Sequence, residues 1–210
     1  MQPGPGNRTH FSMIRSFHLA DVVTLLNGAL GAGAVLAFMR FLVDDRMSFF
    51  WLGACFLPVA MVMDALDGRI ARRRGVDSPM GQELDSLADV VSFGVAPAAM
   101  AFAAGMRGAW DALLLIYFVG CGISRLARYN VSASAAAAAA TRVKYFEGFP
   151  IPTSLLLVAL LAALAGFGRW QQQLPLGAVS FAGATLHPLT LLFGLHGSGM
   201  ISKTLRIPKP

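Results

Sequence analysis

Four aspartates, Asp64, Asp67, Asp85 and Asp89, stand in the stretch "VMDALDGRIARRRGVDSPMGQELDSLADVVSFGVAP", whose surroundings are greasy enough to span a membrane. A charged aspartate at the centre of a membrane helix costs ~2.5–3.5 kcal/mol on insertion scales, so four deep and uncompensated ones cost roughly 10–14 kcal/mol. Lying near the membrane edge lowers that cost, and a bound cation offsets much of the remainder. Asp64 and Asp67 are three residues apart with Gly68 and Ala71 on the same general face, while Gly81, Asp85 and Asp89 form an i, i+4, i+8 stripe. Two antiparallel helices joined by the short link "RRRGVDSPMG" therefore point two carboxylate pairs at each other. Hard oxygen ligands with no His or Cys beside them suit Mg²⁺, Mn²⁺ or Ca²⁺ rather than zinc.

The neighbouring residues narrow the chemistry. Gly68 and Gly81 leave room beside the carboxylates for a bulky ligand to approach backbone and metal. Arg72, one turn beyond Gly68, offers a planar fork of donors suited to phosphate. Carboxylates, divalent metal, glycine clearance and an arginine together specify phosphoryl-type chemistry, with two ions able to clamp a diphosphate and stabilise charge on the leaving oxygen. Each part alone has a plainer account: Asp-x-x-Asp is a weak signal, glycine in a membrane helix often serves close packing, and Arg72–Arg74 would set topology. The joint spacing favours the chemical account.

The elements that must position these residues are membrane helices. The chain has 210 residues, 56% hydrophobic and 13% charged, with a mean hydropathy of +0.61. An all-α integral membrane protein is expected, with six transmembrane helices drawn from apolar runs at Leu19–Val43, Phe49–Met63, Leu84–Ala104, Trp110–Ile123, Ile151–Phe167 and Leu176–Leu195. The second, fourth and fifth runs are short but continue as amphipathic helix into charged flanks. Residues 1–18 read as a cytoplasmic tail and interfacial segment, 19–200 as the transmembrane catalytic domain, and 201–210 as a basic cytoplasmic tail. The first run is too long for a cleavable signal peptide.

Lys and Arg in alternate connections divide 13 against 4, which places both termini and the aspartates in the cytoplasm of a cell-membrane protein. The net charge of +6 is better explained by topology and anionic headgroups of the lipid bilayer than by nucleic acid, which is not an expected partner. Cys55 and Cys121 fall in apolar runs without metal-ligand spacing and read as packing residues. Pro58, Pro97 and Pro188 are expected to bend helices, and Pro150 and Pro152 to open the fifth. The run Ala135–Ala140 reads as part of a partly helical connection.

The spacing D-x2-D-G-x2-A-R-x8-G-x3-D-x3-D is met at all eight fixed positions, Asp64, Asp67, Gly68, Ala71, Arg72, Gly81, Asp85 and Asp89. In this the sequence resembles the CDP-alcohol phosphatidyltransferase family. The resemblance implies a six-helix, usually homodimeric membrane enzyme that displaces CMP from a CDP-linked lipid with an alcohol acceptor. The flanks "GQELDSLADVVSFGVAPA", "SRLARYNVS" and "YFEGFPIPTS" are similar to segments of members that use CDP-diacylglycerol and L-serine, so phosphatidyl transfer to serine is the expected reaction. Glycerol phosphate or an inositol compound as acceptor, and an ether-lipid donor, stand as alternatives in the same class. A divalent-cation transporter is the alternative outside it, and Gly68, Arg72 and Gly81 speak against it.

Other residues are assigned around this core. Asp64, Asp67 and Asp85 are expected to hold metal, with Asp89 at the metal edge taking the proton of the attacking hydroxyl. Gly68, Ala71, Arg72 and Gly81 would line the diphosphate. Thr24 and Asn27, on a polar strip with Asp21, would read the CDP group as first-helix residues do in the resembled family, or else make a helix-packing hydrogen bond. Arg125 and Arg128, about one helical turn apart, could grip an anion, either the serine carboxylate or the diphosphate, with Asn130 and Lys144 at the rim. Ser92, a turn beyond Asp89, is expected to face the same cavity.

Overall fold

Uninterrupted apolar sequence becomes long helix in the computed structural model, which describes residues 19–74, 79–138, 145–202, 204 and 206–208. Helix α1 is Leu19–Asp44 and α2 is Met47–Arg74 with Pro58 inside it. Helix α3, Pro79–Asp89, runs on through a π-helical segment, Val90–Val95, into α4, Ala96–Ala104. Helix α5 is Ala109–Ala138, so the alanine run is helical at least to that residue. The turn between α1 and α2 is made by Asp45, whose φ of 50 is a left-handed conformation that Asp tolerates.

Among the described residues, four stretches are long and apolar enough to cross a membrane: Ala20–Asp44, Met47–Ile70, Met80–Ala104 and Ala109–Ser132. At 1.5 Å per residue each exceeds the ~30 Å hydrocarbon thickness. Exposed side chains such as Leu36, Val43 and Ile116 suit lipid as their solvent.

The expected count of six transmembrane helices is corrected by the last two runs. The fifth becomes a 3₁₀ turn, Ile151–Ser154, followed by α6, Leu155–Gly166. The sixth, Leu176–Leu195, is not a helix over most of its length. It forms a hairpin of β2, Val179–Phe181, and β3, Ala184–Leu186, then a 3₁₀ turn, Pro188–Thr190, and finally α7, Leu191–Ile201. Leu176, Gly177, Ala182 and Gly183 all have positive φ, which helix forbids. Pro188 accordingly opens a turn rather than bending a helix. The apolar helices Ile151–Gly166 and Pro188–Ile201 fall short of the ~20 residues a span needs. The bundle is therefore all-α with four long apolar helices and two shorter ones, plus two small strand pairs.

Aromatic side chains fill the core. Phe41 meets Phe50 at 5.4 Å and Trp170 at 5.6 Å between ring centroids, and Phe118 meets Phe193 edge-on at 5.3 Å where α5 packs on α7. Gly197 makes that last approach close, since a Cβ there would lie 3.2 Å from the Phe118 backbone.

The far end of α5 is closed by Asp111, which is fully buried and accepts four hydrogen bonds. They come from Gly108 N (2.9 Å), His187 N (2.8 Å), His187 Nδ1 (2.6 Å) and Thr190 Oγ1 (2.8 Å). A carboxylate in the first turn also suits the helix dipole. At the other end, strand β1, Tyr145–Glu147, pairs antiparallel with β4, Arg206–Pro208, and Phe149 N donates to Gly199 O at 3.2 Å. The 1–18 tail, Lys144, and the side chains of Ala71 and Arg72 lie outside the described residues.

Candidate active site

The acidic side chains gather where α2 ends and α3 begins. Helix α2 carries Asp64 and Asp67 one turn apart, and α3 brings Asp85 up to them. One oxygen from each of Asp64, Asp67 and Asp85 lies within 4.8 Å of the others, and Asp67 is almost fully buried. Like charges at that spacing repel by roughly 3–4 kcal/mol per pair at an effective dielectric constant near 20. Asp85 Oδ1 is buried and, among the described residues, finds no hydrogen-bond partner. Crowded carboxylates with an orphaned buried oxygen fit a divalent cation, and the cluster is capable of coordinating one.

Asp89 stands one turn beyond Asp85, buried, outside that group of three but within electrostatic range of all of them. Its carboxylate is held from α1: Asn27 Nδ2 donates to Asp89 Oδ1 at 3.3 Å. Thr24 Oγ1 donates to Asp67 Oδ2 at 2.7 Å. Thr24, Asn27, Gly28 and Gly31 form one face of α1 at i, i+3, i+4 and i+7, and helices α2 and α3 lean on it. The two polar residues expected to meet a nucleotide thus hold the carboxylates, while Asn27 Oδ1 is buried with no partner among the described residues.

Gly68 and Gly81 are half-buried beside this cluster, Gly68 following Asp67 and Gly81 one turn before Asp85. Ala71 and Arg72 sit on the last turn of α2. On α5 the two arginines differ. Arg125 is half-buried with its Nε lacking a partner among the described residues, and its charge faces Asp89. Arg128 Nη1 donates to the carbonyl of Ile201 at 3.2 Å and so caps the end of α7. Asn130 is engaged by Ser86, with Ser86 Oγ donating at 3.2 Å and Asn130 Nδ2 returning a bond at 3.0 Å.

Ser92 is fully buried and turned to α1, donating to Asn27 O at 2.9 Å, rather than lying open to a cavity. Ser86 and the Asp111–His187–Thr190 cluster were not singled out from sequence. Single polar residues in apolar helices carry no spacing signal until the partner helix is known.

The fold and site define a helical membrane protein with an acidic, cation-competent site at one end of its long helices. Residues 17–194 match the sequence model of a family described as CDP-alcohol phosphatidyltransferase, and the chain belongs to that family. It is 45% identical over 204 residues to the CDP-diacylglycerol--serine O-phosphatidyltransferase of Saccharomyces cerevisiae, covering 96% of this chain and 74% of that protein. The protein of the same description from Methanocaldococcus jannaschii is 35% identical over 148 residues, 70% of this chain and 62% of its own length. That from Mycobacterium leprae is 40% identical over 120 residues, 54% of this chain and 39% of its own length.

Proposed function

We propose that the protein transfers the phosphatidyl group of CDP-diacylglycerol to the hydroxyl of L-serine and releases CMP. The observation that carries this reading is the 45% identity, across 96% of the chain, to a yeast protein described by that activity. The acidic cluster and the fit of all eight motif positions support it.

In this proposal Asp64, Asp67 and Asp85 hold Mg²⁺ or Mn²⁺, with Asp89 at the edge of the set. When bound, the metal neutralises the diphosphate and the charge that develops on the leaving CMP. The chain's own groups do the rest. Asp89 accepts the proton of the serine hydroxyl, whose oxygen bonds to the lipid-bearing phosphorus as the bond from that phosphorus to the CMP oxygen breaks. Arg125, half-buried with an unpartnered Nε among the described residues and within electrostatic reach of Asp89, binds the serine carboxylate and so places the hydroxyl at the base. Gly68 and Gly81 leave room for the diphosphate, the motif positions Ala71 and Arg72 are assigned to it by the family resemblance, and Asn27 Oδ1 offers an acceptor to the cytidine portion. Asn130 lies at the rim.

The site faces the cytoplasm in this reading, supported by the distribution of Lys and Arg, and the functional unit is a homodimer, supported by the family resemblance. The test is CMP release by purified protein from CDP-diacylglycerol with a panel of alcohols, in Mg²⁺ and in Mn²⁺. Release that needs L-serine is expected. Release with glycerol phosphate or inositol compounds but not serine overturns the acceptor; none with any alcohol overturns the transferase.

A further inference from the structure

Directly after Asp89 the helix leaves α geometry for six residues, Val90–Val95, wound as a π-helix. Such turns are rare and concentrate at functional sites. The wide turn carries Ser92, fully buried, whose hydroxyl donates to the main-chain carbonyl of Asn27 at 2.9 Å. The side chain of the same Asn27 donates to Asp89 at 3.3 Å. Asn27 is thus tied twice to one short stretch of the facing helix, by its main chain to Ser92 and by its amide to Asp89.

Gly31, one turn along α1, lets the two backbones close to that distance. A Cβ at Gly31 would fall 2.7 Å from Ser92 Cα and 2.9 Å from Ser92 N. The amide contact to Asp89 lies at the long edge of hydrogen-bond range, so a small slide of α1 would break it. The hydroxyl tie on the same residue opposes that slide.

We propose that Ser92 is a positioning residue for the transfer step: through the main chain of Asn27 it fixes where the Asp89 carboxylate stands in the site. This rests on the assignment of Asp89 as the base. A general base must meet its proton within hydrogen-bond reach, and a misplacement of about 1 Å can cost on the order of 10²-fold in rate.

The experiment compares Ser92→Ala, Ser92→Cys and Gly31→Ala in the full chain with CDP-diacylglycerol, L-serine and Mn²⁺. Cysteine is slightly larger than serine and donates only weakly, and alanine at position 31 pushes on Ser92 without touching a carboxylate. The two Ser92 variants are expected to lose about tenfold in kcat, keep their melting transition and hold KM for CDP-diacylglycerol within about twofold, whereas Gly31→Ala is expected to lose kcat and melt at a lower temperature. Folded Ser92 variants with wild-type kcat overturn the proposal, as does a rise in KM for CDP-diacylglycerol at unchanged kcat. Absence of CMP release by the wild type overturns the transferase reading itself, and the role of Ser92 with it.

Discussion

Thr24 Oγ1 donates to Asp67 Oδ2 across 2.7 Å, so the first helix holds a carboxylate of the second although the two residues are 43 positions apart. The donor holds Asp67 by one oxygen, and the same carboxylate contributes an oxygen to the cluster. Thr24→Val keeps the shape and removes the donor. It is expected to raise the Mn²⁺ concentration for half-maximal activity by about tenfold with little change in saturated rate, as loss of a group orienting a metal ligand does. A metal titration of CMP release measures it.

Asp89 and Asp64 are expected to separate by function. Asp89→Asn should lower turnover by about 10²–10⁴-fold while sparing CDP-diacylglycerol and metal binding more than Asp64→Asn does. Single-turnover rates beside calorimetric Mn²⁺ binding distinguish the two, and full activity in Asp89→Asn would defeat the assignment of the base.

The two arginines of α5 should also part. Arg125→Lys keeps the charge but loses the planar fork, and is expected to raise KM for L-serine by about tenfold or more while KM for CDP-diacylglycerol moves little. Arg128→Gln removes a cap from Ile201 O and is expected to lower the melting temperature more than it alters either KM.

Asp111 lies roughly 21 Å along α5 from Arg125 at 1.5 Å per residue, so its loss should spare the chemistry. Asp111→Ala strands the buried Thr190 hydroxyl and three further donors, and is expected to cost about 2–4 kcal/mol of stability. Unfolding in detergent tests this, with kcat of the surviving folded protein expected near that of the wild type.

What could be read from the chain follows from which physical signals are local. Helical periodicity alone puts Asp64 beside Asp67 and Asp85 beside Asp89, and the structure gathers Asp64, Asp67 and Asp85 into one cluster. Continuous apolar length likewise announces the first and third spans, while the shorter second and fourth runs reach span length through their amphipathic continuations. Hydropathy says nothing about conformation, and so Leu176–Leu195, apolar enough for a span, hides a hairpin that Gly177 and Gly183 make possible through their positive φ. The bonds of Thr24 and Asn27 to the carboxylates escape for another reason. They depend on how α1 is rotated against α2 and α3, and Asn27 meets Asp89 62 residues away.

The pairing of β1 with β4 also orders the events of biosynthesis. As the chain emerges, α5 and the segment Tyr145–Glu147 are made well before Arg206–Pro208, and the hairpin and α7 come between them. Arg128 likewise waits for the carbonyl of Ile201. The side of the site formed by α5 can therefore be fastened only after the chain has been made as far as Pro208, about sixty residues beyond β1.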